Sequence, residues 1–198
     1  MVVPKVDSAD DVRSIEAALE RFGAPSHTKI WAMLETPTAV LHAEEICAAS
    51  DRLTVLVMGT NDLVKELRAQ RVGDRGPLMS ALGLCLLAAR ASGKVILDGV
   101  FNDTKDEAGL LGECRQGRQM GFDGKTLIHP SQVGPCNEAF APSADEIEYA
   151  ERVIGAFEQA QADGRGVVTV DGRMIENLHV DEARRMLVIQ KVIESSRT

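Results

Sequence analysis

Two carboxylates carry the clearest chemical signal in this chain. Glu35 directly follows the apolar run Ile30–Leu34, and Asp62 lies just beyond the run Leu53–Met58, within Gly59-Thr60-Asn61-Asp62-Leu63. Each run reads as a fully buried strand, so each acid is delivered where a strand ends and a loop begins. Barrels of parallel strands gather those ends at one mouth and place their chemistry there. Two carboxylates meeting with few basic residues close by in sequence suit a hard divalent cation, Mg²⁺ or alternatively Mn²⁺. Pairing with lysines or helix capping would use the same two acids without a metal. Gly59, Thr60 and Asn61 form a tight turn ahead of Asp62. Their backbone N–H groups could bind a substrate carboxylate, as backbone nests do, or the turn could simply present Asp62.

The elements that must position these residues alternate. A strand at residues 2–6 is followed by a helix at 9–22, capped by Asp7 or Ser8. Strand Ile30–Leu34 precedes a short helix at 42–50 with Leu41, Ile46 and Cys47 inward. Strand Leu53–Met58 leads through a charged loop to a long apolar helix at 78–91. A strand at 95–97 ends at Asp98, a helix covers 105–119, and a strand at 126–128 ends at His129-Pro130. Near-continuous apolar strands alternating with helices argue for a parallel sheet in an α/β fold. The tail breaks the pattern. Ser143 caps an amphipathic helix, Ala144–Ala162, followed by Gly164-Arg165-Gly166, a β-like run at 167–170, a turn at Asp171-Gly172 and a last helix at about 180–194. The expected division is a barrel portion at 1–142 and an α-β-α lid or oligomerisation segment at 143–198.

Composition bounds the function. The 198 residues carry a net charge of −8, which disfavours nucleic acid as the main partner. Hydrophobic content of 44% with 26% charged residues is that of an ordinary globular protein. No apolar stretch approaches the roughly 20 residues of a membrane span. The start of the chain lacks the pattern of a secretory signal. Cys47, Cys85, Cys114 and Cys136 form no metal or disulfide spacing, so a reducing cytoplasm is the expected setting. Other residues draw weaker expectations. Asp98 faces the mouth or caps a loop. Arg68, Arg71 and Arg75 read as solvated loop charge. Lys5 reads as a salt-bridge partner, and the histidines lack ligand spacing.

Six segments in order resemble a known family: Met33-Leu34-Glu35-Thr36, Gly59-Thr60-Asn61-Asp62-Leu63, Asp98-Gly99-Val100, Gly121-Phe122-Asp123-Gly124-Lys125, Ile128-His129-Pro130-Ser131-Gln132 and Asp171-Gly172-Arg173-Met174-Ile175. Together they are similar to the HpcH/HpaI aldolase and citrate lyase β-subunit family, the CoA-ester lyases. The resemblance implies a (β/α)₈ TIM barrel with a C-terminal lid, assembled as a trimer or hexamer. It implies Glu35 and Asp62 as ligands of Mg²⁺ and a CoA thioester as substrate. About three further strands are expected ahead of residue 2, with a substrate-binding arginine and part of the CoA site, so the chain is expected to represent the C-terminal part of such a barrel. The family's lid places an aspartate directly after a Met-Ile pair, acting as acid/base in a neighbouring subunit. Here that position is Glu176, one methylene longer.

The function expected from the resemblance is cleavage or formation of a C–C bond in malyl-, citramalyl- or citryl-CoA, giving acetyl-CoA and a 2-oxo acid. The alternatives are a malyl-CoA thioesterase or malate-synthase-like activity at the same site, or a non-catalytic fragment or subunit of a complex.

Overall fold

A computed structural model describes residues 1–164 and 167–196. Arg165 and Gly166 of the expected Gly164-Arg165-Gly166 turn lie outside the described residues. The chain divides into two compact units, Met1–Phe140 and Ala141–Thr198.

The first unit is a parallel α/β structure. Its elements run β1 (Val2–Val3), α1 (Ala9–Arg21), β2 (Ile30–Leu34), α2 (Pro37–Leu41), α3 (Ala43–Ala48), β3 (Leu53–Met58), α4 (Thr60–Glu66), α5 (Met79–Ala91), β4 (Val95–Asp98), α6 (Glu107–Met120), β5 (Gly124–Lys125) and α7 (Val133–Phe140). The five strands pair in sequence order, every neighbouring pair parallel. Sequential parallel order is what strand–helix repeats build when each helix returns the chain to the next position of a barrel wall. Among the described residues no pairing joins β5 back to β1, so the sheet is open.

Register explains the burial. Val3, Ala32, Leu56 and Ile96 share one row, and its members on β2–β4 are fully buried beneath helix residues such as Val12, Ile46, Leu82, Cys85 and Ala89. The alternate row, Val2, Trp31, Val55 and Val95, lies on the other face, where Val2, Trp31 and Val95 are exposed. All four cysteines are buried free thiols, and burial pushes Cys85 up to about 12.

Several expected boundaries move. Strand pairing in β1 stops at Val3, because Lys5 adopts a left-handed conformation, φ +52°, that no strand tolerates. The last strand pairs at Gly124–Lys125 rather than 126–128. The short helix is two, split at His42, and Leu41 is exposed rather than inward.

The second unit contains α8 (Ala144–Ala162), the hairpin β6 (Val168–Val170) and β7 (Arg173–Ile175), and α9 (Asn177–Ser196). Its segment is thus α-β-β-α rather than α-β-α. Ser143 and Glu146 close a capping box at the start of α8. Asp171 and Gly172 both take positive φ, as a two-residue hairpin turn requires. Val153, Val170, Ile175 and Val180 form its core. Among the described residues no helix is long and apolar enough to cross a membrane.

Candidate functional site

Glu35 leaves the end of β2 and is nearly fully buried. Its placement depends on Gly59, at the end of β3. A Cβ on Gly59 would lie 2.2 Å from the Glu35 Cβ and 2.7 Å from its Oε2, so only glycine lets the carboxylate settle there. Thr36 caps α2 by accepting from the Ala39 N–H at 3.0 Å, and its hydroxyl donates to Asp7. That bond ties the loop after β1 to the loop after β2. The Lys5 backbone N–H donates to Glu35 Oε1 at 2.9 Å, so the left-handed residue that ends β1 also orients this acid.

Asp62, in the first turn of α4, is half-exposed. The Lys5 ammonium joins the two acids, donating to Asp62 Oδ1 at 3.1 Å and standing 3.9 Å from Glu35 Oε1. The hydrogen bond to Asp62 and the charges of both acids hold Lys5 more firmly protonated than a free lysine. The structure therefore brings Glu35 and Asp62 together around one cation. Two hard oxygen donors that already attract a positive group fit a divalent ion that keeps several positions for water or substrate. Among the described residues there is no cluster of three or more His, Cys, Asp or Glu that could hold a metal ion.

The turn residues take separate roles. The Gly59 N–H donates to the Leu34 carbonyl at 2.9 Å, and the bare Cα of Gly59 makes room for Glu35. Thr60 and Asn61 open α4, where first-turn N–H groups have no intrahelical acceptor. The Thr60 side chain is buried against Gly99, whose own Cβ would meet it at 2.3 Å. Asn61 and Asn102 exchange two side-chain hydrogen bonds of 2.9 Å, linking the start of α4 to the loop after β4. Beside them a mostly apolar cavity of about 280 Å³ is lined by Thr60, Val64, Val72, Leu78 and Phe101.

A second charged group lies beneath the β4 end, built from residues far apart along the chain. Asp98 is fully buried and accepts both bonds of 2.8 Å from Arg75 Nη1, with Lys125 Nζ at 3.1 Å. Glu113 completes it, 2.5 Å from Lys125 and 3.3 Å from Arg75. Arg75 also donates through Nε to Gln116 at 2.7 Å, while its Nη2 is buried without a partner. Arg75 is therefore a buried structural cation rather than solvated loop charge, and Asp98 points into this network rather than to an open mouth. Glu176 lies in the second unit, exposed, just ahead of α9. Its backbone N–H donates to His179 Nδ1 at 3.0 Å, and its carbonyl accepts from His179 and Val180. No hydrogen bond or ion pair engages its carboxylate among the described residues.

The model of the HpcH/HpaI aldolase/citrate lyase family matches residues 1–130. A (3S)-malyl-CoA thioesterase of Cereibacter sphaeroides is 52% identical over 193 residues, covering 98% of this chain and 65% of that protein. The citrate lyase subunit beta of Escherichia coli is 37% identical over 190 residues, 93% of this chain and 63% of that protein. The crystal structure of CitE from Mycobacterium tuberculosis, in complex with magnesium, acetoacetate and coenzyme A, matches with a TM-score of 0.78 and 30% identity. That match covers 94% of this chain and 66% of the other. The chain spans about two thirds of the length of the curated relatives it matches.

Proposed function

We propose that this chain, which belongs to the HpcH/HpaI aldolase/citrate lyase family, serves an enzyme that hydrolyses the thioester of a 3-hydroxyacyl-CoA of the malyl-CoA type. The observation that carries this reading is the convergence of Glu35 and Asp62 on one cation at adjacent strand ends. The choice of hydrolysis over C–C cleavage rests on 52% identity to a malyl-CoA thioesterase against 37% to a citrate lyase subunit. The sequence expectation placed cleavage first; these identities reverse the order. Cleavage to acetyl-CoA and a 2-oxo acid is the second reading, supported by the CitE structure with acetoacetate and coenzyme A.

In this account Glu35 and Asp62 hold Mg²⁺, with Mn²⁺ as a substitute. The metal, when bound, supplies Lewis-acid polarisation of substrate oxygens. Glu35 is the fixed ligand, clamped by the Lys5 N–H and seated against Gly59, while Asp62 is the more open one. The first-turn N–H groups at Thr60 and Asn61 orient a substrate carboxylate. Glu176 moves the proton. In hydrolysis it takes one from the attacking water as the water oxygen bonds to the thioester carbon, and returns it to the sulfur as the C–S bond breaks and CoA leaves as its thiol. In cleavage it takes the 3-hydroxyl proton. It acts on a neighbouring copy of the chain in a trimer or hexamer.

Product analysis with (3S)-malyl-CoA and Mg²⁺ tests the reading. Free CoA thiol appearing with malate supports hydrolysis. Acetyl-CoA appearing with glyoxylate supports cleavage instead. Turnover that persists unchanged in E35Q would overturn the assigned site for either reaction.

A further inference from the structure

We propose that Lys5 is an internal counter-ion that holds Glu35 and Asp62 together in the metal-free protein and is exchanged for the divalent cation when the metal binds. This rests on the reading of Glu35 and Asp62 as metal ligands.

Geometry separates two roles within one residue. The Lys5 main chain is fixed: its N–H donates to Glu35 Oε1 at 2.9 Å, from a left-handed backbone at φ +52°. The side chain is loosely held, 58% exposed, with its ammonium 3.1 Å from Asp62 and 3.9 Å from Glu35. A divalent ion binds carboxylate oxygens at about 2.0–2.1 Å if it is Mg²⁺. It would therefore need the space and the oxygens that the ammonium uses. Two cations at that spacing repel, and the lysine is the one that can leave. Its four-carbon stem swings freely, and its compact charge is strongly hydrated in water. Withdrawal leaves the N–H clamp on Glu35 intact, so the site keeps its shape while its cation changes.

The backbone supports the same conclusion. A positive φ is the natural place for glycine, and a side-chain-bearing residue is strained there. Glycine would supply the same N–H with less strain. What lysine adds is the ammonium, placed on the two acids that would otherwise repel each other.

The test is a Mn²⁺ titration of the 198-residue chain, with free Mn²⁺ read by electron paramagnetic resonance at fixed ionic strength. Lys5→Met should bind Mn²⁺ about fivefold more tightly than wild type, the equilibrium effect of an exposed ion pair that no longer competes. Lys5→Gly, which relieves the backbone and keeps the N–H, should show the same tightening. Without metal, Lys5→Met should unfold at lower urea than wild type, and saturating Mn²⁺ should close that gap. Equal or weaker Mn²⁺ binding in both variants, with wild-type binding intact, overturns the exchange and leaves the metal site standing. Absence of Mn²⁺ binding in wild type and variants alike removes the metal site and the exchange with it.

Discussion

Two pairs of acids, each with one member at the end of a strand and the other on a helix, lie in the first unit, and the protein treats them in opposite ways. Asp98 and Glu113 meet two buried cations, Arg75 and Lys125, so their charge is cancelled and closed off from water. Glu35 and Asp62 share a single, largely exposed lysine, so one negative charge is left over at an accessible place. Both arrangements use a glycine to bring an acid close: Gly59 against Glu35, and Gly117 against Asp98. The difference is charge balance. A balanced, buried network fixes structure, whereas an unbalanced pair with a mobile partner has affinity left for a cation from solution.

The same substitution in the two places should separate them most sharply. Lys125→Met leaves Asp98 buried with one partner fewer and should cost about 3–5 kcal/mol in urea unfolding. Lys5→Met, at a mostly exposed side chain, should shift the urea midpoint far less. Comparable losses at both positions would erase the distinction.

Glu35→Gln should lower Mn²⁺ affinity by about 100-fold, or about 2.7 kcal/mol, at least the upper range for losing an outer partner of a metal ligand. Its amide oxygen can still accept the Lys5 N–H, so the urea midpoint should change little. The matching change on the closed side, Glu113→Gln, should move stability and leave Mn²⁺ affinity where it was.

The two glycines give a smaller contrast. Gly59→Ala forces a Cβ to within 2.2 Å of Glu35 and should cost about 1–3 kcal/mol while weakening Mn²⁺ binding. Gly117→Ala meets Asp98 Oδ2 only at 3.0 Å and gains helix propensity in α6, so it should cost less than Gly59→Ala. Urea unfolding of both variants checks the order.

The smallest effect lies outside both regions. Asp11 closes the capping box of α1, and the Asp7 N–H and then the Ser8 hydroxyl hold its pKa below the usual carboxylate value. A depressed folded-state pKa adds stability above the unfolded value, about 3.9. That stability is lost as pH falls through the lower, folded one. Asp11→Asn should therefore be less stable than wild type at pH 6, by roughly 1 kcal/mol or less. The difference should shrink below about pH 4, as urea midpoints at the two pH values would show.

Legibility in the sequence followed the same divide. Glu35 and Asp62 could be placed near strand ends because an apolar run stops just before each, and the alternation of strands and helices announced the parallel sheet. Lys5 was harder to read. In sequence it continues an extended run, and only the fold reveals the left-handed turn that aims its N–H at one acid and its ammonium at both. Arg75 resembles Arg68 and Arg71 along the chain; what distinguishes it is burial against Asp98, Glu113 and Gln116, partners that arrive from distant segments. A glycine-led turn suggests either a nest of donors or a simple presentation of Asp62, while the close approach of Gly59 to Glu35, which needs a bare Cα, shows only in the fold. The strand at Arg173–Ile175 has no signature in sequence, because three residues, two of them exposed, carry no usable alternation.

The most direct test of the central claim is a crystal structure of the chain grown with Mn²⁺, with anomalous scattering recorded at the manganese edge. One strong peak is expected between the Glu35 and Asp62 carboxylates, with the Lys5 ammonium moved out to solvent and its backbone N–H still on Glu35. Lys5 still bridging both acids, with no anomalous peak between them at saturating Mn²⁺, would contradict it.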